Sequence, residues 1–533
     1  MSRAGYTGRA RPSLQLANAQ DHPYREPRSR EPISLCKLVP STMKMALSLP
    51  VLLLIAAFAT AAPNGPHAAT NRTPAAVPVT RPPLVPLDDP YIRTFEFAPM
   101  GTVYVYLPKQ IDDATDVVLF ASGDGGWEPR VVDMVARMQA LGKIVVGFST
   151  PEYLQRLDAS KLKCAYPPQE LEALSQFIQR ELGIHSYRVP VLVGYSSGAS
   201  LAYVAMAQTP INTFVGGIGL GFCPELALTK PLCRQGALTK APEFDKDHYR
   251  LYPIEQLVAP FEVLQGQTDE LCKLGDTAAF MKQAGNVTLT PVPKIGHGFA
   301  PVAEWFSYFV AAYESLEAKR SIDNPSIDAE VAGLPLIERF VGSKNNTLVV
   351  VLSGDGGWST LTEKVTQQLN ADGFPVVGWN MLKYFWNAKP PEKAAADLAQ
   401  IIEHYTNAWQ KDAVILAGYS MGADVLPGIV NRLPLAQQQR IRSIILMAPE
   451  RATDYEFHVS GWLNRIPKDA SPIAPEVMKL LDGIHLTCVY GTDEANRSLC
   501  TQLDANKPAL TVKELPGAHH FDGDYEALAR LIR

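Results

Sequence analysis

The chain has 533 residues, 47% of them hydrophobic, with 49 Lys and Arg against 54 Asp and Glu for a net charge of -5. That is enough apolar material for roughly two to four cored domains. The mildly acidic balance, with no long basic run, excludes a nucleic-acid-binding surface as the basis of function.

Residues 1–42 are polar and carry scattered Pro and Arg. Met43-Lys44-Met45 then leads into the apolar run Ala46–Phe58 and the small-residue triplet Ala59-Thr60-Ala61. A basic start, a short apolar stretch and a small-x-small site describe a secretory signal. The run is well short of the roughly 20 residues that span a bilayer. Residues 1–62 therefore read as an N-terminal extension with a cleavable signal, the start lying at Met43 or Met45, and the mature protein is expected to be exported. Residues 63–90 are dense in Pro, Ala and Thr and read as an extended linker.

Beyond it the chain falls into two halves, 91–320 and 331–533, with a polar, turn-rich boundary at Ser321–Asp328. In the first, the apolar strand Val117–Ala121 ends in SGDGGW (Ser122–Trp127). A helix near Pro129–Leu141, a strand Ile144–Phe148, a helix from Pro167 and a strand Val191–Val193 running into GYSSG (Gly194–Gly198) follow. The second half repeats the order with Leu348–Leu352, a second SGDGGW (Ser353–Trp358), a helix, Val376–Trp379, a helix from Pro391, Val414–Ala417 and GYSMG (Gly418–Gly422). Uninterrupted apolar strands alternating with helices predict mostly parallel sheets covered on both faces. The expected fold class is α/β, as two tandem α/β-hydrolase-like domains.

Both pentapeptides fit G-x-S-x-G, in which a serine sits on a tight strand-to-helix turn. A serine nucleophile needs a histidine base and an orienting acid, in the chain order Ser, acid, His for this fold. The C-terminal half offers Ser420, then Asp493 after the strand Ile484–Tyr490, then His519 after Leu510–Leu515. The N-terminal half offers Ser196, then Asp269 after Phe261–Gly266, then His297 after Val287–Val292. Equivalent residues stand 224, 224 and 222 positions apart. Alignment of His297-Gly298-Phe299 with His519-His520-Phe521 selects His519 as the base and leaves His520 for packing or substrate contact. The hexapeptide follows the strand where lipases and esterases place an oxyanion-hole amide. The predicted donors are Gly356 or Gly357 with Met421, and Gly125 or Gly126 with Ser197. Alternatively the hexapeptide is a packing turn, with Trp127 and Trp358 capping the core.

Six cysteines follow the signal, and Cys488 and Cys500 are alone in the C-terminal half, which makes them the best-supported disulfide pair; free, buried thiols are the alternative. No His, Cys and carboxylate grouping has metal-ligand spacing, and neither hexapeptide completes a phosphate-binding or dinucleotide fingerprint. No metal or cofactor is expected.

The tandem SGDGGW, the paired GYSxG and GAHHFDGDY at Gly517–Tyr525, behind a secretory signal, resemble the AcvB/VirJ family of bacterial virulence proteins, in the two-domain AcvB arrangement. The resemblance covers the chain from Ser122 onward. It implies a periplasmic serine hydrolase that cleaves the lysyl ester of lysyl-phosphatidylglycerol to lysine and phosphatidylglycerol, acting on an aminoacylated phospholipid at the membrane surface. A lysyl head group calls for acids, and Asp355, Asp424 and Asp522 adjoin the loop, elbow and histidine motifs; solvated or capping roles are the alternative for each. The aromatic stretch Leu382–Trp386 reads either as a rim facing lipid or as core. Two other functions remain open: a serine esterase, lipase or peptidase of other specificity, and a binding factor for type IV secretion components or substrates. The C-terminal triad is expected to carry the lipid hydrolysis, because the N-terminal copy reads GHGFAP where the other reads AHHFDGDY, and has Ser200 in place of Asp424.

Overall fold

The strands VVLFA (β3, Val117–Ala121), IVVGF (β4, Ile144–Phe148) and VLVGY (β5, Val191–Tyr195) are buried at every position. Such strands lie inside a sheet with both faces covered. The computed structural model describes residues 89–112, 115–323, 331–340, 345–458 and 470–533. The predicted extension, signal and nearly all of the linker lie outside them.

Residues 92–292 build an eight-stranded sheet in the order β1-β2-β4-β3-β5-β6-β7-β8, where β1 is Ile92–Phe97, β2 Gly101–Tyr106, β6 Gly217–Leu220, β7 Phe261–Gly266 and β8 Val287–Val292. The strands from β4 onward pair in parallel. The edge is an antiparallel hairpin, β1 with β2 and β2 with β4, which the sequence reading missed.

Residues 336–515 build a seven-stranded sheet in the order β9-β11-β10-β12-β13-β14-β15. Here β9 is Leu336–Arg339, β10 Thr347–Leu352, β11 Val376–Trp379, β12 Ala413–Tyr419, β13 Ile441–Met447, β14 His485–Gly491 and β15 Leu510–Leu515. Only β9 runs antiparallel, against β11.

Each sheet carries two cores. In the N-terminal half the helix Pro129–Ala140 buries Val131, Met134, Val135 and Met138 beside Trp305 and Phe309 on one face. The helices Pro167–Glu181 and Ser197–Gln208 pack on the other. The C-terminal half repeats this, with Thr360–Ala371 and Tyr525–Ile532 on one face and Pro391–Ala408 and Met421–Val430 on the other. Proline opens three of these helices, at a position where its missing N–H has no intrahelical partner to lose.

The two halves touch through side chains that the sequence reading placed elsewhere. Leu382, Tyr384, Phe385 and Trp386 are buried, so this stretch is not a lipid-facing rim. Trp386 stacks on Phe457 and donates its indole N–H to the Ile184 carbonyl (2.7 Å). The Arg180 guanidinium lies over the same indole (4.6 Å) and donates to the Phe457 carbonyl. At the other end of the contact, Tyr166 Oη meets Thr360 Oγ1 (3.3 Å), two residues beyond the second hexapeptide.

Candidate active sites

Each nucleophile is held in a strained backbone that its neighbours impose. Ser196 and Ser420 sit between a buried strand and the following helix at φ 54° and 51°. This left-handed region costs a non-glycine residue energy and persists only where packing over-determines it. A Cβ on Gly418 would come within 2.4 Å of the Gly422 carbonyl oxygen, and one on Gly422 within 2.5 Å of the Leu352 oxygen. The flanking glycines are thus set by close backbone passage, and the serine hydroxyl is pushed out at the sheet's C-terminal edge.

Two triads are assembled. In the N-terminal half His297 Nε2 lies 2.9 Å from Ser196 Oγ, and its Nδ1 lies 2.8 Å from Asp269 Oδ2. In the C-terminal half His519 Nε2 lies 2.9 Å from Ser420 Oγ. Its Nδ1 faces Glu494 Oε2 at 3.0 Å, not Asp493. Asp493 is exposed on a single 3-10 turn, Thr492–Glu494, that rotates its carboxylate away while Glu494 is buried. The two acids correspond through the strand ends: Asp269 is the third residue after Gly266, and Glu494 the third after Gly491. Matching the aspartates by residue type put the C-terminal acid one position too early.

The acids are held differently. Asp269 accepts the N–H groups of Leu271 and Cys272 (3.0 and 2.9 Å) and the Gln265 amide (3.1 Å). Glu494 is bound by the Arg497 guanidinium. Burial alone would raise the Glu494 carboxyl, but the His519 hydrogen bond and the charges of His519 and Arg497 bring it below its ordinary value. A tyrosine before each serine steadies the histidine loop: Tyr195 Oη donates to the His297 carbonyl (3.1 Å) and Tyr419 Oη to that of His519 (3.3 Å). His520 also meets Tyr419 Oη, through Nδ1 at 3.3 Å, beside the catalytic ring. Neither tyrosine was singled out from the sequence.

The hexapeptides arch over the nucleophiles. A Cβ on Gly354 would stand 3.2 Å from Ser420 Cβ, and one on Gly123 the same distance from Ser196 Cβ. Met421 begins the helix after the nucleophile, so its N–H has no partner within that helix and is free to serve an oxyanion. Gly357 is not a donor, because its N–H closes the turn onto the Gly354 carbonyl (3.1 Å), as Gly126 does onto Gly123 (3.0 Å). The Gly356 N–H points at the Asp355 carboxylate (2.9 Å). Trp127 and Trp358 are buried in the core beneath these loops.

Carboxylates separate the two sites. Around Ser420 stand Asp355, Asp424 and Glu450, and the last was not foreseen from the sequence. Asp424 is buried and accepts the Glu450 N–H (2.7 Å). Burial pushes its carboxyl well up, and the charges of Glu450 and Asp355 push the same way. Burial also raises Asp355 and Glu450, each opposed by the charge of His519. Asp522 is not part of this group: it is exposed and its carboxylate folds against Gly517. In the N-terminal half the positions of Asp424 and Glu450 are held by Ser200, whose hydroxyl donates to the Cys223 carbonyl (2.6 Å), and by Cys223 itself.

Three disulfides are formed, Cys164–Cys233, Cys223–Cys272 and Cys488–Cys500. The last ties β14 to the turn just past Glu494. Among the described residues one group could crowd a metal, Asp269, Cys272 and His297, but its sulfur is in a disulfide and its other members are the triad.

A parallel sheet, a serine on a strained elbow and a histidine and acid in hydrogen-bonded line define a serine hydrolase of the α/β-hydrolase type. A family model described as "Bacterial virulence protein (VirJ)" matches residues 115–213 and 346–533, more than half of the chain. The protein belongs to the VirJ family. No curated protein matches it. Solved structures similar to it include Thermogutta terrifontis esterase 2 phosphoramylated by tabun, at 16% identity over 43% of this chain and 95% of that one, TM-score 0.30. Others are a carbohydrate esterase from gut microbiota, at 12% identity over 44% and 99%, TM-score 0.32, and an alpha-beta serine hydrolase homologue from Coxiella burnetii, at 17% over 44% and 98%, TM-score 0.27.

Proposed function

We propose that the C-terminal site hydrolyses the lysyl ester of lysyl-phosphatidylglycerol, releasing lysine and phosphatidylglycerol, in an exported, AcvB-type protein working at the periplasmic membrane surface. The observation that carries this reading is the set of acids Asp355, Asp424 and Glu450 around an assembled Ser420–His519–Glu494 triad. A lysyl ester brings two ammonium groups to the acyl side, and a partly desolvated acidic pocket favours them over a fatty acyl chain. Membership of the VirJ family supports the same reading.

In the reaction Ser420 Oγ attacks the ester carbonyl while His519 Nε2 takes its proton. Glu494 holds the imidazole with Nδ1–H directed at its carboxylate and stabilises the imidazolium. The oxyanion is received by the Met421 N–H and a loop amide. His519 then protonates the departing lipid alcohol, and water, activated by the same ring, releases lysine from Ser420. Among the described residues no helix is long and apolar enough to cross a membrane.

A purely binding role in type IV secretion does not call for two hydrogen-bonded triads. The test is release of lysine from vesicles containing lysyl-phosphatidylglycerol, comparing the mature protein with Ser420→Ala. Loss of release in the variant is expected; equal release by both would refute the reading.

A further inference from the structure

The third residue of each hexapeptide is an acid, Asp124 in one half and Asp355 in the other. Ser196 Oγ lies 3.1 Å from Asp124 Oδ2 and also 2.9 Å from His297 Nε2. One hydroxyl proton cannot serve both acceptors. When it lies on the line to the histidine, the carboxylate faces a bare oxygen lone pair, a repulsive contact unless a cation stands between them. In the C-terminal site the equivalent Asp355 has swung the other way, onto the Gly356 N–H (2.9 Å). There a carboxylate sits among amides that would otherwise receive an anion. The two sites thus display two stations of one side chain, one against the nucleophile and one on the loop amides.

Both stations oppose ordinary ester cleavage. A carboxylate beside the developing oxyanion raises its energy, and a carboxylate on the loop amides competes for them. An ester whose α-carbon carries a free ammonium removes both penalties. That group lies two bonds from the carbonyl carbon, within reach of the aspartate once serine is attacking. It gives the carboxylate a charge-assisted partner and draws it off the amides.

We propose that Asp355 and Asp124 are the α-ammonium receptors of their sites, and that the N-terminal triad is therefore a second hydrolase of α-amino esters, one that takes uncharged side chains. This rests on the reading of the C-terminal site as an aminoacyl-ester hydrolase and extends it to a site that reading leaves idle. The side-chain preference follows from what the N-terminal site lacks. Ser200 and the Cys223–Cys272 disulfide stand where Asp424 and Glu450 make the other pocket acidic. Ser197, in place of Met421, buries a hydroxyl that has no hydrogen-bond partner among the described residues, which suits a small polar or short acyl group beside the nucleophile. The chemistry balances as in the C-terminal site. Ser196 Oγ forms the acyl bond and its proton passes through His297 to the leaving alcohol. Water then frees the amino acid, and the ammonium is bound throughout and not consumed.

The test uses the full mature chain and four soluble substrates, the β-naphthyl esters of L-alanine, N-acetyl-L-alanine, L-lysine and Nα-acetyl-L-lysine. Ser420→Ala reports the N-terminal site and Ser196→Ala the C-terminal one, with the double variant as the blank. In Ser420→Ala we expect turnover above the blank, faster on the free alanyl ester than on its acetylated form and no faster on lysyl than on alanyl. Adding Asp124→Asn should cut kcat/KM on the free alanyl ester by roughly tenfold or more, as loss of a charge-assisted hydrogen bond does, and raise that on the acetylated ester. Asp355→Asn should do the same to the lysyl pair in Ser196→Ala. The proposal is overturned if Ser420→Ala equals the blank, or if Asp124→Asn lowers both alanyl esters alike, as a structural role would. Failure on lysyl-phosphatidylglycerol vesicles with the soluble pattern intact would remove the lipid reading and leave this one standing.

Discussion

At equivalent positions in the two halves, one braces its catalytic acid with a covalent bond and the other with charge. Ser196 N–H donates to Leu220 and Ser420 N–H to Met447 (2.8 and 2.9 Å), and the third residue beyond each acceptor is Cys223 or Glu450. The third residue beyond each triad acid is Cys272 or Arg497. Cys223 is bonded to Cys272, whereas Glu450 faces Arg497 at 3.6 Å. The disulfide fixes the Asp269 loop and brings no charge into the pocket. The ion pair fixes the Glu494 turn and leaves a carboxylate within electrostatic range of the acyl site. Two copies of one scaffold have thus diverged at the brace, and the brace sets the charge of the pocket.

The comparison breaks first at the acid. Glu494→Gln should lower turnover of the lysyl ester by about 10³–10⁴, the usual consequence of losing the group that orients the base. Asp493→Asn, at an exposed position, should stay within about twofold of wild type. Kinetics on the two variants would invert if the acid were Asp493.

The brace itself comes next. Replacing Cys223 and Cys272 by serine should cost about 4 kcal/mol, because the bond closes a loop of 49 residues' separation. Replacing Glu450 alone by glutamine, which breaks the ion pair and leaves Arg497 on Glu494, should cost about 1 kcal/mol or less, as half-exposed ion pairs contribute little. Denaturant unfolding followed for each half separately reads the difference, and equal losses would contradict it. In activity, Glu450→Gln should lower the preference for lysyl over alanyl ester by about tenfold through loss of one charged contact.

The smallest effect is one of pH. Asp424 has its carboxyl raised by burial, so it costs stability once the unfolded chain has ionised and the folded one resists. Stability should fall as pH rises above about 4, the ordinary aspartate value. Asp424→Asn should remove that slope, with its advantage over wild type growing with pH, while Ser200→Ala in the other half should show no such trend. Unfolding midpoints from pH 4 to 8 measure it.

Much of this was legible in the sequence because the constraints there are local. The central buried strands VVLFA, IVVGF and VLVGY are almost wholly apolar, the elbow glycines are fixed by backbone approach, and serine and histidine stand 101 residues apart in one half and 99 in the other. The triad acid was not legible by residue type, since Asp and Glu serve equally and the 3-10 turn decides which faces the ring. The strand-end glycine was the better ruler: Gly266 and Gly491 both pass close to a carbonyl in the histidine loop, 2.3 and 2.4 Å from a Cβ they lack. Glu450 and Arg497 escaped notice because their counterparts are cysteines, and no similarity of residue type marks that exchange. The aromatic run Leu382–Trp386 misled because burial between the halves and exposure to lipid call for the same side chains.

Both nucleophiles are assembled in one folded chain, and covalent labelling tests this most directly. A fluorophosphonate reacts only with a serine whose histidine is positioned to take its proton. Intact mass after exhaustive labelling should show two adducts on the wild type, on Ser196 and Ser420, and one on each single serine-to-alanine variant. A single adduct on the wild type, or an adduct surviving the double variant, would contradict the account.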